Sequence, residues 1–215
     1  ADFSWQALAW HQRREFESVF SSVNEDRSEE IMALDQYDVP GRGTGGALTF
    51  RWDGGDRWTL TTGVDARFVS GETNENAGTF RNREAGGDQA FQGLFASAGW
   101  QIDERTRVNG GARLDFWQNS DGRRVETSLV DGSTLRSEFP DDRDGVEPSA
   151  SIELTRDLRE GLTARVSTGT AFRLPTLNEL YRPFRVRNDV TEANPDLDPE
   201  RFVSRSEERR VRERV

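Results

Sequence analysis

Alternation with a period of two runs through this chain and restricts its fold more than any other feature. In residues 58–68, Trp58, Leu60, Thr62, Val64, Ala66 and Phe68 fall on one side, while Thr59, Thr61, Gly63, Asp65 and Arg67 fall on the other. Successive side chains of a strand point to opposite faces, so the segment is a strand with one uncharged and one polar surface. The same split recurs in residues 48–52, 112–116, 150–154 and 162–172. Residues 5–20 and 90–101 read as two further strands. In the second of these Phe91 and Phe95 oppose Leu94, Ala96 and Trp100, so either face could be the outward one. Helical periodicity is nearly absent.

The connections between strands fall into two kinds. Asp53-Gly54-Gly55-Asp56, Asp103-Glu104-Arg105 and Asp157-Leu158-Arg159-Glu160 are tight polar turns. Between them lie long acidic segments at residues 21–43, 71–88, 119–146 and 174–200, so short and long connections alternate. The third long segment is expected to hold a hairpin of its own, pairing residues 125–130 with 133–139 across Asp131-Gly132. A compact soluble domain rarely carries several such loops in a row.

Alternation alone does not say whether the apolar face meets a protein core or lipid, since soluble sandwiches alternate too. Three features favour lipid. Residues 58–68 and 162–172 run unbroken through about the 9–11 residues that a tilted strand needs to cross a bilayer. Short turns at one end with long loops at the other mark outer-membrane barrels. Trp52, Trp58 and Trp100 lie beside the tight turns, and Phe116 and Trp117 mark the opposite strand end, as two interfacial aromatic girdles would.

Composition then falls into place. The chain has 215 residues, 33% of them hydrophobic, with a net charge of −10 and every basic residue an Arg. A barrel needs apolar side chains on one strand face only, so a low apolar fraction is compatible with membrane insertion. No run of about 20 apolar residues exists, which excludes membrane helices. With no Cys and only His11, thiolate chemistry and multi-histidine metal sites are excluded. The negative charge disfavours nucleic acid as a partner. Asp141, Asp142, Asp144 and Glu147 do not follow the spacing of a calcium loop and read as solvated charge. Arg185 and Arg187 read as exposed loop residues. Nothing here points to an enzyme, a catalytic or metal-binding residue, or a cofactor.

The most specific segment begins at Gly169. It reads Gly-Thr-Ala-Phe-Arg-Leu-Pro-Thr-Leu-Asn-Glu-Leu-Tyr through Tyr181, and residues 194–200 read Asn-Pro-Asp-Leu-Asp-Pro-Glu. This resembles the β-barrel of TonB-dependent receptors of the Gram-negative outer membrane. In that family an aromatic–Arg–x–Pro segment leaves a strand, a helical turn carries Glu-Leu-Tyr, and Asn-Pro-x-Leu-x-Pro-Glu starts the next strand. Phe172, Arg173, Pro175, Glu179, Leu180, Tyr181, Asn194, Pro195, Leu197, Pro199 and Glu200 occupy the matching positions. Their expected role is structural. Pro175 lacks a donor and ends the ladder, residues 176–181 form a short helical turn, and Pro195 and Pro199 keep the approach to the next strand extended.

The resemblance implies an all-β antiparallel transmembrane barrel, of which about eight meandering strands are present out of about 22. It implies active uptake of a large scarce nutrient such as a ferric siderophore or cobalamin. Its partners would be outer-membrane lipid and lipopolysaccharide, the rest of the barrel with its plug, and the TonB complex acting through that plug. Residues 1–204 are expected to be an internal piece of such a barrel, without the plug and unable to transport alone. Residues 205–215 resemble a translated sequencing adapter and are expected to be a non-native tail. A passive porin or small closed barrel is the second reading, and a soluble β-sandwich binding module the third.

Overall fold

In the computed structural model, which describes residues 2–186 and 189–211, the chain is almost wholly antiparallel sheet. Its elements are β1 (Asp2–Arg14), β2 (Ser18–Val23), β3 (Glu30–Asp38), β4 (Gly41–Asp53), β5 (Trp58–Ala77), β6 (Arg81–Asp103) and β7 (Thr106–Ser128), then β8 (Thr134–Glu138), β9 (Arg143–Arg159), β10 (Leu162–Arg173), α1 (Leu177–Tyr181), β11 (Phe184–Val186), β12 (Asp189–Thr191) and β13 (Glu200–Val211). Eight strands follow one another in the order β1-β4-β5-β6-β7-β9-β10-β13, with β2, β3 and β8 attached at one end. The sheet is open, with β1 and β13 as its edges. No helix among the described residues is long and apolar enough to cross a membrane.

Register places the apolar residues of neighbouring strands side by side. Phe3 pairs with Trp52, Trp5 with Phe50, Leu48 with Val64, Val64 with Leu94, and Leu94 with Leu114. The resulting outward face is exposed, whereas the opposite, inward face holds the buried set. That set is mainly polar, including Glu75, Gln89, Asp115, Asn119, Arg124, Glu126 and Glu147, against only Ala85, Trp117, Leu180 and Tyr181 among apolar residues; Leu162, also buried, has the outward parity of β10 and lies beside its turn. A soluble sandwich buries its apolar face; this chain buries the polar one, as a barrel in lipid does.

Near the tight turns the outward face carries Phe3, Phe50 and Trp52, with Phe3 stacked on Phe50 at 6.3 Å between ring centroids. Trp58 pairs with Trp100 on the same face and level. The expected second girdle is corrected in one member. Adjacent residues of a strand cannot share a face. Phe116 is outward, and Trp117 is inward, buried, and packed where a Cβ on Gly145 would stand 2.8 Å from its ring. Residues 90–101 are settled likewise: Leu94, Ala96 and Trp100 face outward, and the inward Phe91 lies 4.2 Å beneath the Arg67 guanidinium.

Two segments, one expected as a single strand and one as a loop, are built differently. Residues 5–20 break after Arg14, and β2 pairs with β3 in a separate hairpin. Residues 71–88 are not a loop: β5 and β6 continue through them in unbroken register to a turn at Gly78, whose φ is +65°. The hairpin across Asp131-Gly132 is present as the end of β7 with β8, its turn held by Asp131 Oδ1 accepting from the Ser133 N–H at 3.1 Å and hydroxyl at 2.8 Å.

Candidate functional site

The inward face at the long-loop end is where the chain concentrates its burial and its ion pairs. A first layer lies across the sheet, where Asp65, Gly93, Asp115 and Glu147 form one row from β5 to β9. Arg113 spans that row, donating to both oxygens of Asp65 at 2.6 and 2.9 Å and through Nε to Asp115 at 2.8 Å. It passes directly over Gly93, where an added Cβ would stand 1.9 Å from Nη2. A side chain at that position would block the route from β7 to β5. Farther along the row, Arg201 donates to both oxygens of Glu147 at 2.7 Å.

Above this layer the connection from β10 to β13 folds inward. Arg173, at the end of β10, donates to Glu179 Oε2 and Oε1 at 2.9 and 3.0 Å and to Glu200 Oε1 at 2.7 Å. Glu179 also accepts from the Thr176 N–H at 2.8 Å, while the Thr176 hydroxyl accepts from the Glu179 N–H at 3.3 Å. This reciprocal capping box starts the five-residue α1. One arginine therefore ties the end of β10, the first turn of α1 and the first residue of β13.

The rest of the connection is anchored from both sides. The Pro175 carbonyl accepts from Gln89 Nε2 at 2.9 Å, and Gln89 donates its other amide hydrogen to Asn119 at 2.9 Å. Leu180 is 1% and Tyr181 5% exposed. The Tyr181 ring lies on bare backbone, since a Cβ on Gly122 would stand 2.6 Å from it and one on Gly87 2.8 Å. Burial pushes the Tyr181 phenol above its ordinary pKa. The Asn194 N–H donates to the Glu179 carbonyl at 3.1 Å, and Asn194 Oδ1 accepts from the Asp196 N–H at 3.0 Å. Arg143 of β9 donates to the carbonyls of Pro195 and Leu197, both at 3.0 Å. Pro199 is half-buried, and Phe172 is half-buried on the outward face.

Nine of the eleven motif residues thus meet in one inward knot, with Phe172 on the outward face and Pro199 half-buried next to Glu200 in the chain. Arg185 falls in β11, and Arg187 lies outside the described residues. The strongest contacts were not visible in the motif. Glu75, fully buried in the extension of β5, accepts from Arg83 at 2.7 Å and from Arg182 Nη2 at 2.5 Å. Arg83 also pairs with Glu126, and Arg124 joins Glu126 to Glu192 at 3.0 Å. A partial signal exists in the register, where Glu75, Arg83, Glu126 and Arg136 stand opposite one another on four successive strands. Among the described residues no group of His, Cys, Asp and Glu is arranged to hold a metal ion.

The motif's electrostatics make a pH prediction. Arg173, together with the Thr176 N–H, holds the Glu179 carboxyl down at about 2, and Arg173 lowers Glu200 as well. A carboxyl depressed in the docked state stabilises docking fully above its ordinary value near 4.5 and loses that contribution as pH falls toward about 2. Proteolysis at residues 182–198 is expected to accelerate between pH 4.5 and pH 2 in the native chain. Arg173→Gln should flatten that profile; an unchanged profile would refute the clamp.

The family model described as TonB dependent receptor-like, beta-barrel matches residues 1–204. No curated protein sequence matches the chain. Among solved structures, the copper transporter OprC superposes with a TM-score of 0.74 at 22% identity, covering 98% of this chain and 34% of its own. The ferric yersiniabactin uptake receptor FyuA from Yersinia pestis superposes with a TM-score of 0.63 at 11% identity, covering 99% of this chain and 31% of its own. The chain therefore spans about a third of the length of either structure.

Proposed function

The chain belongs to the TonB-dependent receptor-like β-barrel family, and from that premise we propose that it forms part of a Gram-negative outer-membrane receptor for active uptake of a large, scarce nutrient. The observation that carries this reading is the inverted sheet, apolar outward and ion-paired inward, over the same residues that the family model covers. The two solved relatives bear the names of a copper transporter and a ferric yersiniabactin uptake receptor, which supports a metal chelate or a cofactor-sized molecule as cargo. A ferric siderophore or cobalamin fits this class. The plug, the remaining strands and the TonB complex are the partners of the whole receptor, and the transport path belongs to the closed barrel. The chain's role is that of wall and gate frame, with no catalytic step.

The motif residues take a structural role in this reading, holding the connection from β10 to β13 inside the barrel mouth. Residues 1–204 form the barrel segment. Residues 205–215 are proposed as a non-native tail, because the family model stops at residue 204 and Arg205 and Glu207 stand opposite Thr168 and Val166 on the outward face.

Expression of the full-length receptor with its signal peptide tests the proposal. The receptor should fractionate with the outer membrane, shift in gel mobility on heating, and support growth on a ferric chelate only when the TonB complex is intact. Recovery as a soluble monomer without detergent would sink it.

A further inference from the structure

Trp10 lies on the inward face of β1, opposite Gly45 of β4 and between the outward Ala9 and His11. One face of its ring rests on bare backbone. A Cβ on Gly45 would stand 2.7 Å from that ring, and one on Gly43 3.0 Å. The rest of the ring is open, and Trp10 is 37% exposed. Lipid accounts for the exposed rings of the outward face, such as Trp5 and Trp100, but not for an inward one. On β6 and β7 the inward rings are covered instead. Phe91 lies 4.2 Å beneath Arg67, Phe95 lies 5.9 Å from Arg113, and Trp117 is buried.

The open ring lines a cleft of about 410 Å³ beside the inward connection. Leu177 of α1 lines it too, close enough to the sheet that a Cβ on Gly71 would stand 3.3 Å from its side chain. The charged residues along the cleft are Arg14, Arg42 and Glu72. Arg42 has outward parity on β4, and Glu72 has outward parity on β5 and pairs with Arg123. Arg14 alone shares the inward parity of Trp10, with Gln12 between them. Among the described residues its guanidinium has no ion pair, side-chain hydrogen bond or ring partner. The inward carboxylates of β5 are already engaged, Asp65 by Arg113 and Glu75 by Arg83 and Arg182.

We propose that this cleft binds an aromatic carboxylate on the cargo, its ring stacked on Trp10 and its carboxylate paired with Arg14. A flat ring fits the free indole face in an offset stack, and a guanidinium holds a carboxylate through two parallel hydrogen bonds. An unpaired cation beside an open ring, in a chain of net charge −10, selects an anionic ring over a neutral or cationic one. The volume lies toward the lower end of the range for small-molecule sites, which suits one arm of a larger cargo. The inference rests on the uptake reading above and names one chemical group of the substrate.

The test uses the purified full-length receptor in detergent, titrated with three small probes and read by saturation-transfer NMR. Benzoate is flat and anionic, benzamide flat and neutral, and cyclohexanecarboxylate anionic but not flat. Benzoate should bind best. Arg14→Gln should weaken it about tenfold and bring it level with benzamide. Trp10→Leu should bring benzoate level with cyclohexanecarboxylate, while Arg51→Gln, nearer the tight turns on the inward face, should change nothing. Gel mobility before and after heating checks that the variants are folded, and Trp10→Phe, expected to show a smaller loss, serves if Trp10→Leu is not. Equal binding of the three probes, or benzoate binding unchanged in both variants, overturns the proposal. Absence of benzoate binding, as when the plug fills the cleft, overturns it too. A receptor that reaches the outer membrane and supports TonB-dependent growth without preferring benzoate refutes this inference alone, whereas one absent from that membrane refutes the reading beneath it.

Discussion

Replacing Glu75 by Ala is expected to release the inward connection between β10 and β13 at a cost of about 3–5 kcal/mol, the range for leaving a buried charge without its partner. Glu75 is fully buried and faces two guanidiniums, Arg83 and Arg182, besides the Gln36 amide at 3.4 Å. Removing the carboxylate strands Arg182 next to the end of α1 and Arg83 within the strand extension. Glu75 lies in the extension of β5, beyond the part of that strand that crosses the membrane, so the barrel should still assemble. Hydrogen exchange should show lost protection in α1 and in residues 72–84, with the β9 and β10 amides unchanged. Protection retained throughout would show that Glu75 is dispensable. Glu75→Gln is the sharper comparison, since it keeps the shape but removes the charge and one of the two acceptor oxygens, and it should show most of the same loss.

Tyr181 carries the second large effect. Tyr181→Ala is expected to cost about 3–5 kcal/mol, as for other buried aromatics cut back to alanine. The ring is 5% exposed and fills the space above Gly87 and Gly122. Gly122→Ala should also destabilise the connection, because the new methyl would stand 2.6 Å from the ring. The double variant is the informative one. With the ring gone the methyl has nothing to strike, so the two losses should not add. Thermal release of the connection, followed by protease sensitivity at residues 182–198, measures all three variants. Strict additivity would mean that the ring does not lie on Gly122.

Sequence and structure agree most closely where lipid imposes a pattern. Residues 58–68 and 162–172 must alternate because one face meets hydrocarbon, and their strands were legible for that reason. Above the membrane that constraint ends. Residues 71–88 have no apolar face to declare them, and their pairing rests on charges such as Glu75 with Arg83, which look like solvated loop charge until the register is known. The break after Arg14 was hidden for the opposite reason, since Phe16 and Phe20 prolong the look of a strand across the turn. In the motif, the short helix at Thr176 and the end of the ladder at Pro175 followed from local chemistry. Arg143, Gln89 and Arg182 did not, because each acts on a segment far away in the chain. Trp117 shows the limit of reading residue type without parity: it sits beside Phe116, so only one of them could meet lipid.

The tight turns β4–β5, β6–β7 and β9–β10 all lie at one end of the sheet. That arrangement makes the hairpin, rather than the strand, the unit in which such a gene can lengthen or shorten. Loss of a single strand would reverse the direction of everything downstream, carrying Arg173 and its clamp to the other side of the membrane. Loss of two keeps every later loop on its own side. Insertions within the upper connections leave this polarity untouched, so variation among descendants of this chain should gather there and arrive in pairs everywhere else.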